Sequence, residues 1–185
     1  MARPLSRDEI ADYETYKERR DAERQRVLAV KAPRRVHCGE YLTFLFENTE
    51  TMRYQVQEML LAERIVKEAA IQHEIDTYNG ILGGPGELGC SLLIEIDDPG
   101  LRAEKLRQWL DLPRHLYLRL DDGSRVAATY DPGQVGEDRL SAVQYLKFDT
   151  GGRTPVAVGC DLPALTCETQ LTSTQRQALS EDLRG

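Results

Sequence analysis

Apolar side chains occupy both faces of the stretch from Tyr41 to Phe46, and this pattern predicts a strand buried in the middle of the protein. After this strand the apolar spacing changes to a helical period, and Asn48 or Thr49 is placed to cap a helix. The apolar stripe of the helix shifts its phase after Ala62. The pattern therefore predicts a buried strand followed by a long helical segment that reaches Asn79.

The length of this helical segment predicts a break within it. A straight helix from Glu50 to Tyr78 would be roughly 44 Å long at about 1.5 Å per residue. A compact domain of this size has a diameter of about 40 Å, so the helix would span the whole domain. We therefore expect a bend or short break from Ala62 to Arg64, where the stripe changes phase.

The chain before the buried strand predicts a long N-terminal helix. Ser6 and Glu9 form a capping-box pattern, and neither Gly nor Pro occurs from Arg7 to Lys31. Pro33 ends the helix. Its middle is almost wholly charged, which leaves two interpretations open: a solvated arm that packs at both ends, or a helix that binds a partner.

The remaining sequence predicts turns, further strands and two short helices. The glycines and proline from Gly80 to Gly86 are typical of a turn, and Asp122-Gly123 between two apolar runs predicts a β-hairpin. A short helix is expected from Leu101 to Leu110 and a C-terminal one from Ser173 or Thr174. The other predicted strands have the sequences CSLLIEI, LYLRL, RVAATY, LSAVQYLKF, PVAVGC and ALTCETQL.

These elements predict a single α+β domain over residues 1–185. A chain of 185 residues is long enough for one full hydrophobic core. We expect a mainly antiparallel sheet packed on a bent central helical segment, with a long N-terminal helix and a short C-terminal helix. Residues 1–33 form the predicted helical arm, and residues 34–185 form the predicted core.

Composition and charge indicate which partners the protein does not bind and in which compartment it is expected. The net charge of −7 argues against general binding to nucleic acid or to anionic membranes. No apolar run approaches the roughly 18 residues that span a bilayer, and the N-terminus lacks the apolar centre of a secretory signal. We expect a cytoplasmic protein. Its four cysteines are expected to be buried thiols, because their spacing predicts neither a zinc site nor a disulfide framework. The four are Cys38, Cys90, Cys160 and Cys167.

Polar residues within the apolar central segment are the candidates for chemistry. Carboxylate, amide and imidazole groups can ligate iron, manganese or zinc if they converge on one cavity. The di-iron motif Glu-x-x-His is not present, because Ala70 lies three residues before His73. We therefore predict no cofactor and keep a metal site as the alternative. Its candidate ligands are Glu47, Gln55, Glu58, Glu63 and His73.

Other catalytic patterns are weaker still. The chain has no Gly-x-Ser-x-Gly nucleophile motif. The stretch from Gly83 to Gly89 is rich in glycine, but it lacks the Gly-Lys-Ser/Thr ending of a phosphate loop and precedes a strand. A structural turn is the better interpretation. The polar residues near Glu47, Asn48 and Gln55 are expected to satisfy backbone groups where strand meets helix.

Several residues carry a resemblance to an uncharacterised bacterial family known as a domain of unknown function. The resemblance covers most of the chain, is densest from Arg34 to Asp98, and extends to Ser141–Phe148. The residues that carry it are Arg35-Val36, Gly39-Glu40, Phe46-Glu47-Asn48, Thr51, Gln55-Val56, Glu58-Met59, Glu63, Glu74, Tyr78-Asn79, Gly86-Glu87-Leu88 and Leu93-Ile94-Glu95.

Members of that family are often encoded beside a rubrerythrin and an iron–sulfur oxidoreductase. The resemblance therefore implies an accessory role in peroxide or oxygen defence, with a redox protein as partner, and it supplies no catalytic residues. The leading hypothesis is a non-catalytic accessory protein that acts through protein–protein contacts, with the N-terminal helix as its docking element. The rivals are a small metalloprotein or enzyme using the five candidate residues, and a ligand-binding sensor. Enzymatic activity and oligomeric state stay open.

Overall fold

The computed structural model describes residues 3–184 and confirms the α+β class. Residues 1, 2 and 185 of the predicted domain lie outside the described part. Within residues 3–184 the α-helices are α1 (Tyr13–Lys31), α2 (Thr49–Glu63), α3 (Glu68–Asn79), α4 (Pro99–Gln108) and α5 (Ser173–Arg184). The strands are β1 (Arg35–Cys38), β2 (Leu42–Glu47), β3 (Glu87–Ile94), β4 (Leu116–Arg119), β5 (Arg125–Ala127), β6 (Val143–Asp149), β7 (Ala157–Cys160) and β8 (Cys167–Gln170).

The strands pair into two antiparallel sheets, where the sequence predicted one. The first sheet has the order β1-β2-β3-β6, and the second has the order β5-β4-β7-β8. Both sheets contribute to one apolar core, in which Phe44, Phe46 and Leu92 of the first sheet join Leu118 and Val158 of the second. The two sheets therefore bury one face each in a shared interior.

Strand β2 has the predicted two-sided burial. Phe44 and Phe46 point into the shared core, as expected from the period of two. The alternate residues Thr43, Leu45 and Glu47 are buried as well, on the opposite side of the sheet. We call that side the outer face of the first sheet. The central helices and the end of α1 cover part of it.

The central helical segment breaks where its apolar stripe changes phase. Arg64 follows α2 in the left-handed region, with φ of 53°, and α3 starts at Glu68. The break lets both helices contribute to a second apolar cluster, which contains Val56 and Leu60 of α2 and Ile75 of α3. The predicted bend near Ala62 to Arg64 is confirmed.

The prediction that the first helix begins at Arg7 is wrong. The Ser6–Glu9 capping box begins only a short 3-10 turn, and α1 starts at Tyr13, capped by Asp12. Buried Gln57 of α2 explains the interruption, because its side-chain amide accepts from the Ala11 N–H at 2.8 Å and donates to the Ala11 carbonyl at 3.0 Å. Tertiary hydrogen bonds thus replace the helical ones that the local sequence favours.

Helix α1 packs on α2 and is tied to it at several points. Tyr16 near its start and Val27 near its end are buried, which supports the interpretation of an arm packed at both ends. A second amide clamp holds the chain before α1, since the Asn79 side chain bonds both the N–H and the carbonyl of Leu5. Among residues 3–184, no helix is both long and apolar enough to cross a membrane.

Candidate functional site

A cleft of about 190 Å³ lies between the outer face of the first sheet and the central helices. The strand register places Leu45 of β2, Ser91 of β3 and Tyr145 of β6 side by side, so they form one row across this face. Gln55 of α2 and Tyr78 of α3 line the opposite wall. The cleft therefore combines an apolar floor with hydroxyl and amide groups, a mixture typical of small-molecule sites.

Glu47 is the buried carboxyl group of this cleft. Its side chain accepts a hydrogen bond from the Thr51 hydroxyl at 2.6 Å and another from the Ser91 hydroxyl at 2.7 Å. Burial raises the pKa of Glu47 above its ordinary value, and the two hydroxyls only partly offset this effect. The Glu47 carboxyl therefore keeps its proton to higher pH than an exposed glutamate does.

The expected backbone role near the strand end is filled by Asn48 and by Thr51, whose hydroxyl accepts from the Asn48 N–H at 3.0 Å. The Asn48 side chain accepts from the Thr51 N–H at 3.0 Å and caps α2, as the sequence predicts. Glu47 instead bonds two side-chain hydroxyls, from α2 and β3. The carboxyl group therefore joins sheet to helix, and a protonated Glu47 can also donate a hydrogen bond or act as a general acid.

Gln55 is the candidate ligand that shares the cleft with Glu47. Glu58 accepts instead from the Tyr16 hydroxyl at 2.6 Å and pairs with Arg20 at 2.7 Å, which ties α1 to α2. This arginine holds the pKa of Glu58 below its ordinary value.

Glu63 and His73 are both exposed and do not line the cleft. The structure therefore brings two of the five candidates into one site. In the chain from residue 3 to residue 184, no group of three or more His, Cys, Asp or Glu side chains has a geometry that could hold a metal ion.

A second polar group on the outer face was not found from the sequence. The Thr43 hydroxyl donates to Glu95 at 2.5 Å and lies 2.7 Å from His37 Nδ1, and Arg35 lies 3.6 Å from the same carboxylate. His37 and Thr43 are register partners on β1 and β2. Because alternate residues of paired strands share a face, a correct pairing of the two strands would have placed these groups together.

Ser91 and Tyr145 are the other cleft residues that sequence reasoning missed. Both lie at alternate positions of apolar strands, opposite the core-facing Cys90 and Leu146. The period of two therefore assigns them to the outer face. It does not reveal that β6 pairs with β3, which is what brings Tyr145 beside Ser91.

The comparisons with known proteins are consistent with this fold and do not assign a function. A crystal structure of a novel protein of unknown function from Burkholderia pseudomallei is similar over 98% of this chain and 100% of that chain, with a TM-score of 0.89 and 30% sequence identity. The search of curated proteins returned no match. Residues 4–183 match the family described as "Protein of unknown function (DUF3501)". The chain therefore belongs to the DUF3501 family.

Proposed function

We propose that this protein is a cytoplasmic, non-catalytic accessory protein that binds a redox protein and supports a rubrerythrin-linked peroxide or oxygen defence system. The observation that carries the proposal is the uncovered part of the outer face, where Val143 is 36% exposed and Tyr145 is 43% exposed. Apolar side chains exposed together on a sheet face are typical of a protein-binding surface. The family resemblance supports the redox part of the proposal.

The β6 edge of the first sheet is already occupied, which favours docking on the face of the sheet. The Gln134 side chain bonds both the N–H and the carbonyl of Tyr145 on edge strand β6, each at 2.8 Å. Thr129 forms a bridge with Lys147 on the same strand. A partner strand added at this edge would have to break these bonds. The accessible contacts are the outward side chains, including Val143 and Tyr145.

The arrangement of the candidate chemical residues also supports a non-catalytic role. Glu58 is engaged by Arg20 and Tyr16 between two helices. Both oxygens of Glu47 are engaged by hydroxyls. Carboxylates in such roles stabilise the packing of elements, and they need no substrate to satisfy their hydrogen bonds.

Val143→Asp tests the proposed surface, and Val66→Asp is its matched control. Val66 is 69% exposed in the link between α2 and α3, away from the proposed surface. The probes are purified rubrerythrin and iron–sulfur oxidoreductase from the same organism, measured by biolayer interferometry against immobilised protein. We expect the wild type and Val66→Asp to bind one of them, and Val143→Asp to lose about tenfold or more in affinity, because a buried unpaired charge is costly.

Two outcomes would contradict the proposal. If neither redox protein binds the wild type, the accessory role in this defence system is wrong. If Val143→Asp and Val66→Asp bind equally well, the contact surface is misplaced. Circular dichroism and thermal melting of both variants verify that each is folded before binding is measured.

The second candidate is a small metalloprotein or enzyme that uses iron, manganese or zinc. The observation that favours it is the convergence of Glu47 and Gln55 in a cleft beside Tyr78 and Tyr145. A metal on Glu47 would have to replace the hydrogen bond from Thr51 or from Ser91. Elemental analysis of protein purified without chelator tests this candidate. Stoichiometric metal that is lost in Glu47→Gln would favour it over the accessory role.

A further inference from the structure

Two cysteines from different sheets lie in contact. Cys38 is the last residue of β1 in the first sheet, and Cys167 is the first residue of β8 in the second. Their sulfur atoms are 3.1 Å apart, although 129 residues separate them in the sequence. A disulfide bond is about 2.05 Å long, so an approach of roughly 1 Å would bring the two sulfurs to bonding distance.

The turn after Cys38 is shaped to allow this contact. Gly39 has φ of +65°, in the left-handed region that favours glycine. A Cβ atom at this position would lie 3.1 Å from both Cβ and Sγ of Cys167. A residue with a side chain would therefore press against Cys167, and glycine leaves room for the two thiols to meet.

The two thiols differ in access to solvent, which gives each a separate role. Cys167 is partly exposed, where the sequence predicted a buried thiol, so a dissolved oxidant can reach it. Cys38 is buried, and burial together with the hydrogen bond to Cys167 raises its pKa to about 12. The thiolate is the form of cysteine that reacts with an oxidant. Because an oxidant reaches the partly exposed thiol first, Cys167 attacks first, and the buried Cys38 resolves the product.

We propose that Cys38 and Cys167 are a redox-active pair that a hydroperoxide converts into a reversible disulfide. With hydrogen peroxide, the Cys167 thiolate attacks one peroxide oxygen, the O–O bond breaks, and the departing hydroxide takes up the proton that the thiol released, forming water. Cys167 becomes a sulfenic acid. The Cys38 sulfur then attacks the Cys167 sulfur, the S–O bond breaks, and the leaving hydroxide takes the Cys38 proton as a second water.

The balance of this reaction is two thiols oxidised and one peroxide reduced to two waters. A dithiol reductant reverses it by thiol–disulfide exchange. The bond would join the first sheet to the second and would close a long loop, so it constrains the unfolded chain strongly. We expect the melting temperature of the oxidised protein to rise by about 10 °C. This site goes beyond the proposed accessory function, because it needs only the two thiols and an oxidant.

Cys160 supplies the matched control. It is the register partner of Cys167 on β7 and is buried in the shared core. Cys160→Ser therefore removes a neighbouring thiol and leaves the proposed pair intact. Cys167→Ser removes the attacking thiol at a partly exposed position, where a serine is tolerated. Cys38→Ala removes the resolving thiol, and thermal melting verifies that it folds.

The test treats the purified full-length protein with a small excess of hydrogen peroxide, followed by thiol alkylation, peptide mass spectrometry and thermal melting. We expect the wild type and Cys160→Ser to lose two alkylatable thiols, to give a Cys38–Cys167 linked peptide, and to melt higher until a dithiol is added. Cys167→Ser should form no such bond, and Cys38→Ala should accumulate a sulfenic acid on Cys167 that a dimedone probe traps.

Three results would overturn the proposal. These are a full complement of free thiols after peroxide treatment, a disulfide between Cys160 and Cys167 instead, or a wild-type Cys167 sulfenic acid that never proceeds to a disulfide. None of them depends on a partner protein. A failure here and a failure of partner binding at Val143 are therefore distinguishable.

Discussion

The ion pair between Arg34 and Asp182 connects the end of the N-terminal helical region to α5 across 148 residues of sequence. Two nitrogens of the guanidinium donate to the two carboxylate oxygens at 2.7 and 2.9 Å. Both side chains are only 9% exposed. Asn48 also donates to the carboxylate at 3.3 Å, so the pair meets the N-terminal cap of α2 as well.

Asp182→Ala should destabilise the protein strongly because it leaves a buried cation behind. The Arg34 guanidinium would keep its hydrogen bond to the Val30 carbonyl at 2.8 Å but lose both bonds to the carboxylate. Removing one partner of a buried pair costs about 3–5 kcal/mol. For a chain of this length, a loss of about 3 kcal/mol lowers the melting temperature by roughly 6–12 °C.

An exposed ion pair of similar geometry provides the control. Arg7 donates to Glu68 through two nitrogens at 2.6 and 3.1 Å, and the Glu68 side chain is 68% exposed. Glu68→Ala should therefore cost less than about 1 kcal/mol. Urea unfolding of both variants, followed by circular dichroism, gives the two free energies of unfolding under the same conditions.

A double variant separates the loss of the pair from the burial of an unpaired charge. Arg34→Met combined with Asp182→Leu replaces the pair by apolar side chains, so it should be less destabilised than Asp182→Ala alone. The reasoning is refuted if Asp182→Ala costs no more than Glu68→Ala, or if the double variant is the least stable of the three.

The remaining predictions concern pH and backbone conformation. Because the folded-state pKa of Glu47 is raised, the wild type loses stability as pH rises from the ordinary glutamate pKa through the raised one, so Glu47→Gln should gain on the wild type as pH rises above about 4. Glu58 has a lowered pKa, so Glu58→Gln should be destabilised at neutral pH by about 1 kcal/mol and should approach the wild type as pH falls. Urea unfolding at several pH values measures the free energies of both variants. Each prediction is contradicted if the free energy of unfolding of the variant changes with pH in the same way as that of the wild type. Arg64→Gly should raise the free energy of unfolding by up to about 1 kcal/mol, because φ of 53° strains a residue with a side chain, and an unchanged or lower value in the same urea assay would contradict this.

Local features of the fold were predictable from the sequence. Asp122-Gly123 forms the turn between β4 and β5, and Gly123 adopts φ of +83° as a tight turn requires. Asn48 caps α2, and the helical segment breaks beside Ala62. Each of these depends on a few neighbouring residues, so the chain sequence carries the full signal. The start of α1 was missed because Gln57 acts on Ala11 from a distant position.

The candidate site was predictable only in part. Glu47 and Gln55 lie near one another in the sequence, at the end of a strand and the start of a helix, and the structure places both at one cleft. Glu58 was named as a candidate ligand together with them, yet Arg20 and Tyr16 of α1 engage it instead. Which side of a helix meets which neighbour depends on packing that helical spacing does not specify.

By itself, the sequence determined the elements, their turns and the inward faces of the strands, because hydrophobic period, caps and glycine conformations are local properties. Only the tertiary structure decided how the strands divide into two sheets, since a period of two says which face is buried and not which strand lies alongside. That pairing brings Tyr145 beside Ser91, whose hydroxyl bonds Glu47, and the packing of the two sheets brings Cys38 of one against Cys167 of the other. Contacts between residues so far apart in the chain form only when the whole apolar core is assembled, because it is burial of that core that offsets the entropy of ordering the chain.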